Sequence, residues 1–427
     1  MGAAIRSHPW RTLLGLGAAA ALVMVTGSAG PGTAPPDRTT AVVRPATTAP
    51  DTDPAGGGGD SPTRIGDIVK SSMTRHSLAA LIVRITRDGQ VLYEGAAGES
   101  MTGVPATPQM HFRNGAMAFT YMGTILLRLV DEGKLHLHDK VGQYLPDLPQ
   151  ADAVTLKMLA NMTAGYADYV YQPEVLDGVT RDPFRQWSTE ELLEIGTSKP
   201  MMFEPGTNWG YSHTNYVVLA RVLEKAAGMP MDQLMRSYII EPLKLRQTQG
   251  LSTPRLPEPV LHSYSSERRE ALDIPADTAF YEEATFWNPS WTTAAGAVQV
   301  SGIADLATSI AAAGEGTLLS SASHSAQVSP ELAGFGEETP GCPVCRTNTG
   351  QHSYGLGVIL RGPWITQTKL FAGAGAAAGY LPSEKLAIAV ATTYAPGAFD
   401  AQGNYVAADE AILAELARAV VPDQPVP

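Results

Sequence analysis

The chain has 427 residues, 44% of them hydrophobic and only 17% charged, which excludes a largely disordered protein and supports a sizeable core. Thirty basic against 42 acidic residues give a net charge of −12, so no nucleic acid is expected as a partner. Two cysteines exclude a disulfide-framework fold and any multi-cysteine zinc or iron–sulfur site, and no metal or other cofactor is expected.

Arg6, His8 and Arg11 precede an apolar run from Leu13 to Val25. At ~1.5 Å per residue this run falls short of the roughly 30 Å of a hydrocarbon core. Residues 1–29 therefore read as a signal peptide with cleavage after Ala29, or as a signal anchor if cleavage fails. Residues 30–62 read as a disordered linker, with six Pro, six Thr and six Gly between positions 30 and 60 and no aromatic residue. The pair predicts an exported, extracytoplasmic protein of the cell envelope or medium, touching the membrane only through an uncleaved N-terminus.

The folded region is placed at 63–422. A helical pattern over Ile65–Met73 is followed by strands over Leu78–Thr86 and Gln90–Glu94, joined by Asp88-Gly89, a dipeptide that suits a tight hairpin. A helix from Ala116 to Glu132 stops at Gly133. Helices over Glu190–Ile195 and Asn215–Ala227 then alternate with Pro- and Gly-rich loops. Strands over Tyr354–Leu360, Thr366–Ala372 and Leu386–Thr393 and a helix over Ala407–Val420 end the domain. This order predicts an α+β fold: an antiparallel sheet flanked by N- and C-terminal helices (63–110 and 296–422) with a mostly helical lobe inserted at 111–295.

The stretch from Phe112-Arg113-Asn114-Gly115-Ala116 to Asp131-Glu132-Gly133-Lys134 resembles the active-site helix of the serine β-lactamase and penicillin-binding-protein superfamily. The branch it is most similar to holds class C β-lactamases, D-alanyl-D-alanine carboxypeptidases and esterases. Thr163-Ala164-Gly165, Glu204-Pro205-Gly206, Tyr211-Ser212 and Tyr354-Gly355-Leu356-Gly357 resemble further family segments in the same order. The resemblance covers residues 63–420. It implies an S-x-x-K motif in which a lysine activates the serine nucleophile one helical turn earlier. Those positions fall on Ala116 and Phe119, and neither S-x-x-K nor G-x-S-x-G occurs anywhere in the chain.

The family's Y-x-N motif falls on Tyr211-Ser212-His213, keeping the tyrosine and replacing the amide by an imidazole. Counting back from Gly379-Tyr380, its K-T-G or H-T-G motif falls on Gly373-Ala374-Gly375, again without the cationic or imidazole group. With Ala116, Phe119, Tyr211, His213 and Gly373 at the motif positions, no catalytic residue is expected. Ala116, Tyr211, His213, Gly375 and Ala376 remain candidates for a non-covalent carbonyl or carboxylate site, with the backbone N–H groups of Ala116 and Ala376 as oxyanion donors.

Cys342-Pro343-Val344-Cys345 reads as a small structural disulfide, since no helix start is predicted there to activate a thiol. His136 and His138 read as an exposed loop. The expectation is thus a pseudoenzyme with a binding or regulatory role in the envelope, its ligand a peptidoglycan stem peptide or a protein partner. Two alternatives stand beside it: an esterase or D-amino-acid peptidase using a rearranged site around Tyr211 and His213, and a purely structural envelope protein.

Overall fold

The computed structural model describes residues 62–250 and 253–427. The signal segment and all of the linker but Pro62 lie outside the described residues. Pro62 itself is not linker: it opens helix α1 (Pro62–Arg75), where its fixed φ and missing N–H cost nothing. Strands β1 (Leu78–Arg87) and β2 (Gln90–Met101) follow, and their turn has Asp88 and Gly89 at φ 47° and 75°, the left-handed pair a two-residue hairpin requires. Two short strands, β3 (Val104–Pro105) and β4 (Phe112–Arg113), lead to α2 (Met117–Asp131).

The inserted part carries α3 (Leu156–Ala160), α4 (Pro173–Arg181), α5 (Thr189–Thr197), α6 (His213–Ala227) and α7 (Met231–Met235). It also holds the two-residue strands β5 (Gln249–Gly250), β6 (Tyr264–Ser265) and β7 (Glu282–Glu283). The chain returns through β8 (Gln299–Ser301), α8 (Ile303–Glu315) and α9 (Ser321–Gln327). It ends with β9 (Ser353–Tyr354), β10 (Ile359–Arg361), β11 (Trp364–Phe371), β12 (Ala374–Leu381), β13 (Leu386–Tyr394) and α10 (Asp409–Val420).

Eight strands form one antiparallel sheet in the order β3-β2-β1-β13-β12-β11-β10-β9, so both ends of the domain build it. Strand β13 shows why both faces are covered. Leu386, Ile388 and Val390 join Ile65, Val69, Ile412 and Leu416 of α1 and α10, whereas Ala387, Ala389 and Ala391 face the other cluster, with Ile303 and Ile310 of α8. Branched side chains fill one interface and methyl groups let a helix approach on the other; each fully buried Ile or Val contributes about 1.5–3 kcal/mol.

Two expectations about the last strands need correction. The stretch read as one strand from Tyr354 to Leu360 is broken into β9 and β10, because the Gly355–Val358 loop wraps α2: Gly357 has φ 84°, and a Cβ on it would meet the Phe119 carbonyl oxygen at 2.4 Å. Strand β12 is not among the strands predicted from pattern, and the residues placed there by motif as an edge lie on an inner strand. Its Ala-Gly-Ala-Ala-Ala-Gly run has little intrinsic strand preference, and it is strand because β11 and β13 pair with it along its whole length.

Candidate functional site

Helix α2 is apolar almost all round and accordingly buried, with Met117 through Leu127 all shielded from solvent. It starts without a side-chain cap at Ala116. The N–H groups of Met117, Ala118 and Phe119 are taken by the carbonyls of Asn114, Gly115 and Ala116. Ala116 is partly buried and packs against the main core, and its methyl group offers no nucleophile.

Phe119 is 2% exposed and stacks on Tyr216 of α6 with ring centroids 4.0 Å apart. Its ring also lies 6.0 Å from that of Tyr211 and 5.6 Å from that of His213. Tyr211 and His213 meet edge to face at 5.3 Å. The structure therefore brings Ala116, Phe119, Tyr211 and His213 together, as the motif spacing requires, but the place of an ammonium is held by a packed phenyl ring.

Tyr211 is held as a neutral phenol. Burial, the nearby Tyr354 and the Asp168 carboxylate all push its hydroxyl well above the usual tyrosine range. Among the described groups that shift it none is cationic, and residue 119 is apolar, so none of them stabilises a phenolate. Ser212, the hydroxyl between Tyr211 and His213, is fully buried, and its Oγ has no partner.

Three residues join this cluster that sequence reasoning missed. Asp168, almost fully buried, sits 2.9 Å from His213 Nδ1 through Oδ2 and accepts from the Val170 N–H through Oδ1. Gln367 of β11 donates through Nε2 to Thr120 Oγ1 and to the Gly357 carbonyl, tying the sheet to α2. Tyr354, fully shielded, stands edge-on to Tyr211 at 6.2 Å. A lone Asp and a lone Gln carry no sequence signal for such contacts; only the turn motif Thr163-Ala164-Gly165 lay close to the first.

The third motif is displaced from its sequence assignment. Gly373 lies in the Ala372-Gly373 turn between β11 and β12, with its Cα against the Tyr264 carbonyl. The strand that reaches α2 is β11, through Gln367, so Gln367-Thr368-Lys369 occupies the strand position where Gly373-Ala374-Gly375 was expected. Counting back from Gly379-Tyr380 failed because it ran along β12 and missed the hairpin. Ala376 is likewise no oxyanion donor: it sits on an inner strand paired with Lys369 on one side and Ala391 on the other, which consumes its N–H. Gly375 faces Asp409 and Thr392 and lines a cavity with Arg113, away from Tyr211.

Cys342 and Cys345 are joined, with S–S 2.01 Å, and pack against Tyr171, Met202, Phe203 and Tyr211. Gly210 bridges to Cys345, so the short disulfide loop is fastened beside Tyr211. Opening so small a ring is expected to cost about 2 kcal/mol in urea unfolding on reduction. The near-ultraviolet circular dichroism of the adjacent tyrosines is expected to change with it; a reduced domain with unaltered stability and spectrum would contradict this placement. Among the described residues no group of three or more His, Cys, Asp and Glu is arranged to hold a metal ion. His136 is exposed and pairs with Asp139 of its own turn.

The family model described as Beta-lactamase matches residues 65–412. Penicillin-binding protein 4 of Amycolatopsis lactamdurans is 30% identical over 202 residues, 45% of this chain and 50% of that protein. Esterase EstB of Burkholderia gladioli is 27% identical over 199 residues, 43% of this chain and 50% of the esterase. The chain thus spans about half the length, or less, of these curated relatives. Among solved structures, the D-stereospecific amidohydrolase from Streptomyces sp. superposes with TM-score 0.68 at 22% identity, covering 85% of this chain and 99% of that one. The D-amino acid amidase from Ochrobactrum anthropi SV3 does so with TM-score 0.68 at 19% identity and the same coverage. At these identities the likeness shows the fold.

Proposed function

The chain belongs to the beta-lactamase family, and from that premise we propose that it is an exported pseudoenzyme with a binding or regulatory role in the cell envelope. The observation that carries this reading is Phe119, buried and stacked on Tyr216 where the family's lysine belongs. With Ala116 one turn before it, the helix supplies neither an attacking oxygen nor a group to take its proton. The ligand class is the peptidoglycan stem peptide, supported by relatives named penicillin-binding protein and D-alanyl-D-alanine carboxypeptidase. A protein partner is the second occupant. Location outside the cytoplasm rests on the N-terminal segment alone.

The His213–Asp168 pair favours a second reading. A histidine oriented through Nδ1 by a buried carboxylate is the arrangement of a general base, and Nε2 has no hydrogen-bond partner among the described residues. An esterase or D-amino-acid peptidase acting through His213 and an activated water would use it. Titration with a D-Ala-D-Ala peptide separates the proposals. Binding without turnover is expected to raise the unfolding free energy by about 2.7 kcal/mol at a hundredfold excess over Kd. Release of D-alanine that is abolished in His213→Gln would establish the hydrolase instead, and neither binding nor release would leave a structural role.

A further inference from the structure

The motif cluster keeps an ionisable nitrogen open to solvent. His213 Nδ1 lies 2.9 Å from Asp168 Oδ2. An ionised carboxylate only accepts, so Nδ1 carries a hydrogen and points it at Asp168. The other nitrogen, Nε2, has no partner among the described residues, yet it is not one of the polar atoms sealed from solvent, and the side chain is 23% exposed. A ligand at the motif cluster can therefore reach Nε2, and the proton state of that atom sets which ligand group it meets.

An imidazolium there is matched by what surrounds it. The Asp168 side chain is 1% exposed and pairs with His213. A carboxylate so far from water stays uncompensated unless that partner is protonated. The ring centres of Tyr211, Phe119 and Tyr169 lie 5.3, 5.6 and 6.0 Å from that of the imidazole, within reach of a cation–π contact. Burial keeps Tyr169 and Tyr211 as neutral phenols, and it also raises Tyr171 and Tyr354, which flank Tyr211, so none of the four adds charge near neutral pH. One effect opposes the cation: His213 opens α6, whose N-terminus acts as roughly half a positive charge. A full carboxylate charge at 2.9 Å outweighs it.

We propose that His213, as the imidazolium, anchors a carboxylate of the ligand, Nε2–H donating to it while Nδ1–H holds Asp168. This rests on the reading that the cluster binds a stem peptide without turnover, and it names the part of that peptide that is held, its C-terminal carboxylate. The cation lost at Phe119 is thereby replaced from the first turn of α6. Neutral His213 turns a lone pair toward the carboxylate and repels it. Binding therefore takes up a proton, and affinity falls as pH rises through the imidazole range, about 6.5. A general base at His213 needs the opposite state, a bare Nε2, and its activity rises over the same range.

The test is isothermal titration of the whole purified protein with Nα,Nε-diacetyl-Lys-D-Ala-D-Ala, whose only ionisable group is its carboxylate, and with the C-terminal amide of the same peptide. At about pH 5.5 the acid is expected to bind more tightly than the amide, with a proton uptake read from buffers of different ionisation enthalpy. At about pH 8 its Kd is expected to be about tenfold weaker or more, whereas that of the amide stays constant. His213→Gln is expected to remove the pH dependence; should it not fold, the comparison of acid and amide on the unaltered protein decides alone. Equal affinity for acid and amide, or a Kd for the acid that does not change with pH, overturns the anchor and leaves stem-peptide binding standing. Binding of neither peptide at either pH overturns both, and release of D-alanine that grows with pH returns His213 to the role of base.

Discussion

A fluorescent penicillin or fluorophosphonate incubated with the purified domain is expected to leave no covalent adduct, and ester or D-Ala-D-Ala hydrolysis is expected to stay near the uncatalysed rate. In serine hydrolases, removing the nucleophile alone costs about 10⁶-fold in rate, and further losses add little because the residues act as a unit. Here Ala116 has no hydroxyl, and the groups nearby do not replace it. Ser212 Oγ is sealed in the core, and the Tyr211 phenol is pushed away from ionisation by burial. Ala116→Ser alone is expected to stay unlabelled as well, since Phe119 stands in place of the lysine that would take the new hydroxyl's proton; labelling of this variant would assign that role to His213. Mass spectrometry of the intact domain reads the outcome. A mass increase equal to the whole penicillin, whose opened ring releases nothing, or to the fluorophosphonate less HF would refute the pseudoenzyme reading, and peptide mapping would locate the nucleophile.

That expectation rests on residues whose placement the sequence made legible to different degrees. Helix α2 announced itself by an apolar run ended by Gly133, and the hairpin by Asp88-Gly89, because these are local signals tied to backbone φ. Motif order carried Ala116, Phe119, Tyr211 and His213 to one place, since α2 and the start of α6 need only pack in the family manner. Strand β12 was illegible for the opposite reason: alanine and glycine there are chosen by close neighbours, Gly379 against Leu413 and Trp364, and not by strand preference. Missing it moved the third motif six residues, onto Gly373 in place of Gln367. Asp168 was illegible because its role is set by a contact across 45 residues with His213, and no periodicity records such a contact. The fold was therefore readable from pattern, and the site only where a motif bridged the chain.

The same site yields the second large expectation, which concerns stability. Phe119→Ala is expected to destabilise the domain by about 3–5 kcal/mol in urea unfolding, the range for removing a buried phenyl ring and leaving the cavity behind. The ring contacts Tyr216, Tyr211 and His213 at once, and Tyr216 is anchored through its hydroxyl to the Ala160 carbonyl, so the walls have little freedom to close the gap. Phe119→Lys is expected to be at least as costly, because it puts an ammonium into a space that now holds aromatic rings, with the Asp168 carboxylate already engaged by His213 and the Val170 N–H. In this chain, then, the residue type that relatives require for catalysis would be a destabilising substitution. A loss under about 1 kcal/mol for Phe119→Ala would mean that the ring is not a core residue. It would place water where the packed aromatic cluster stands and reopen the site to the ligands of active relatives.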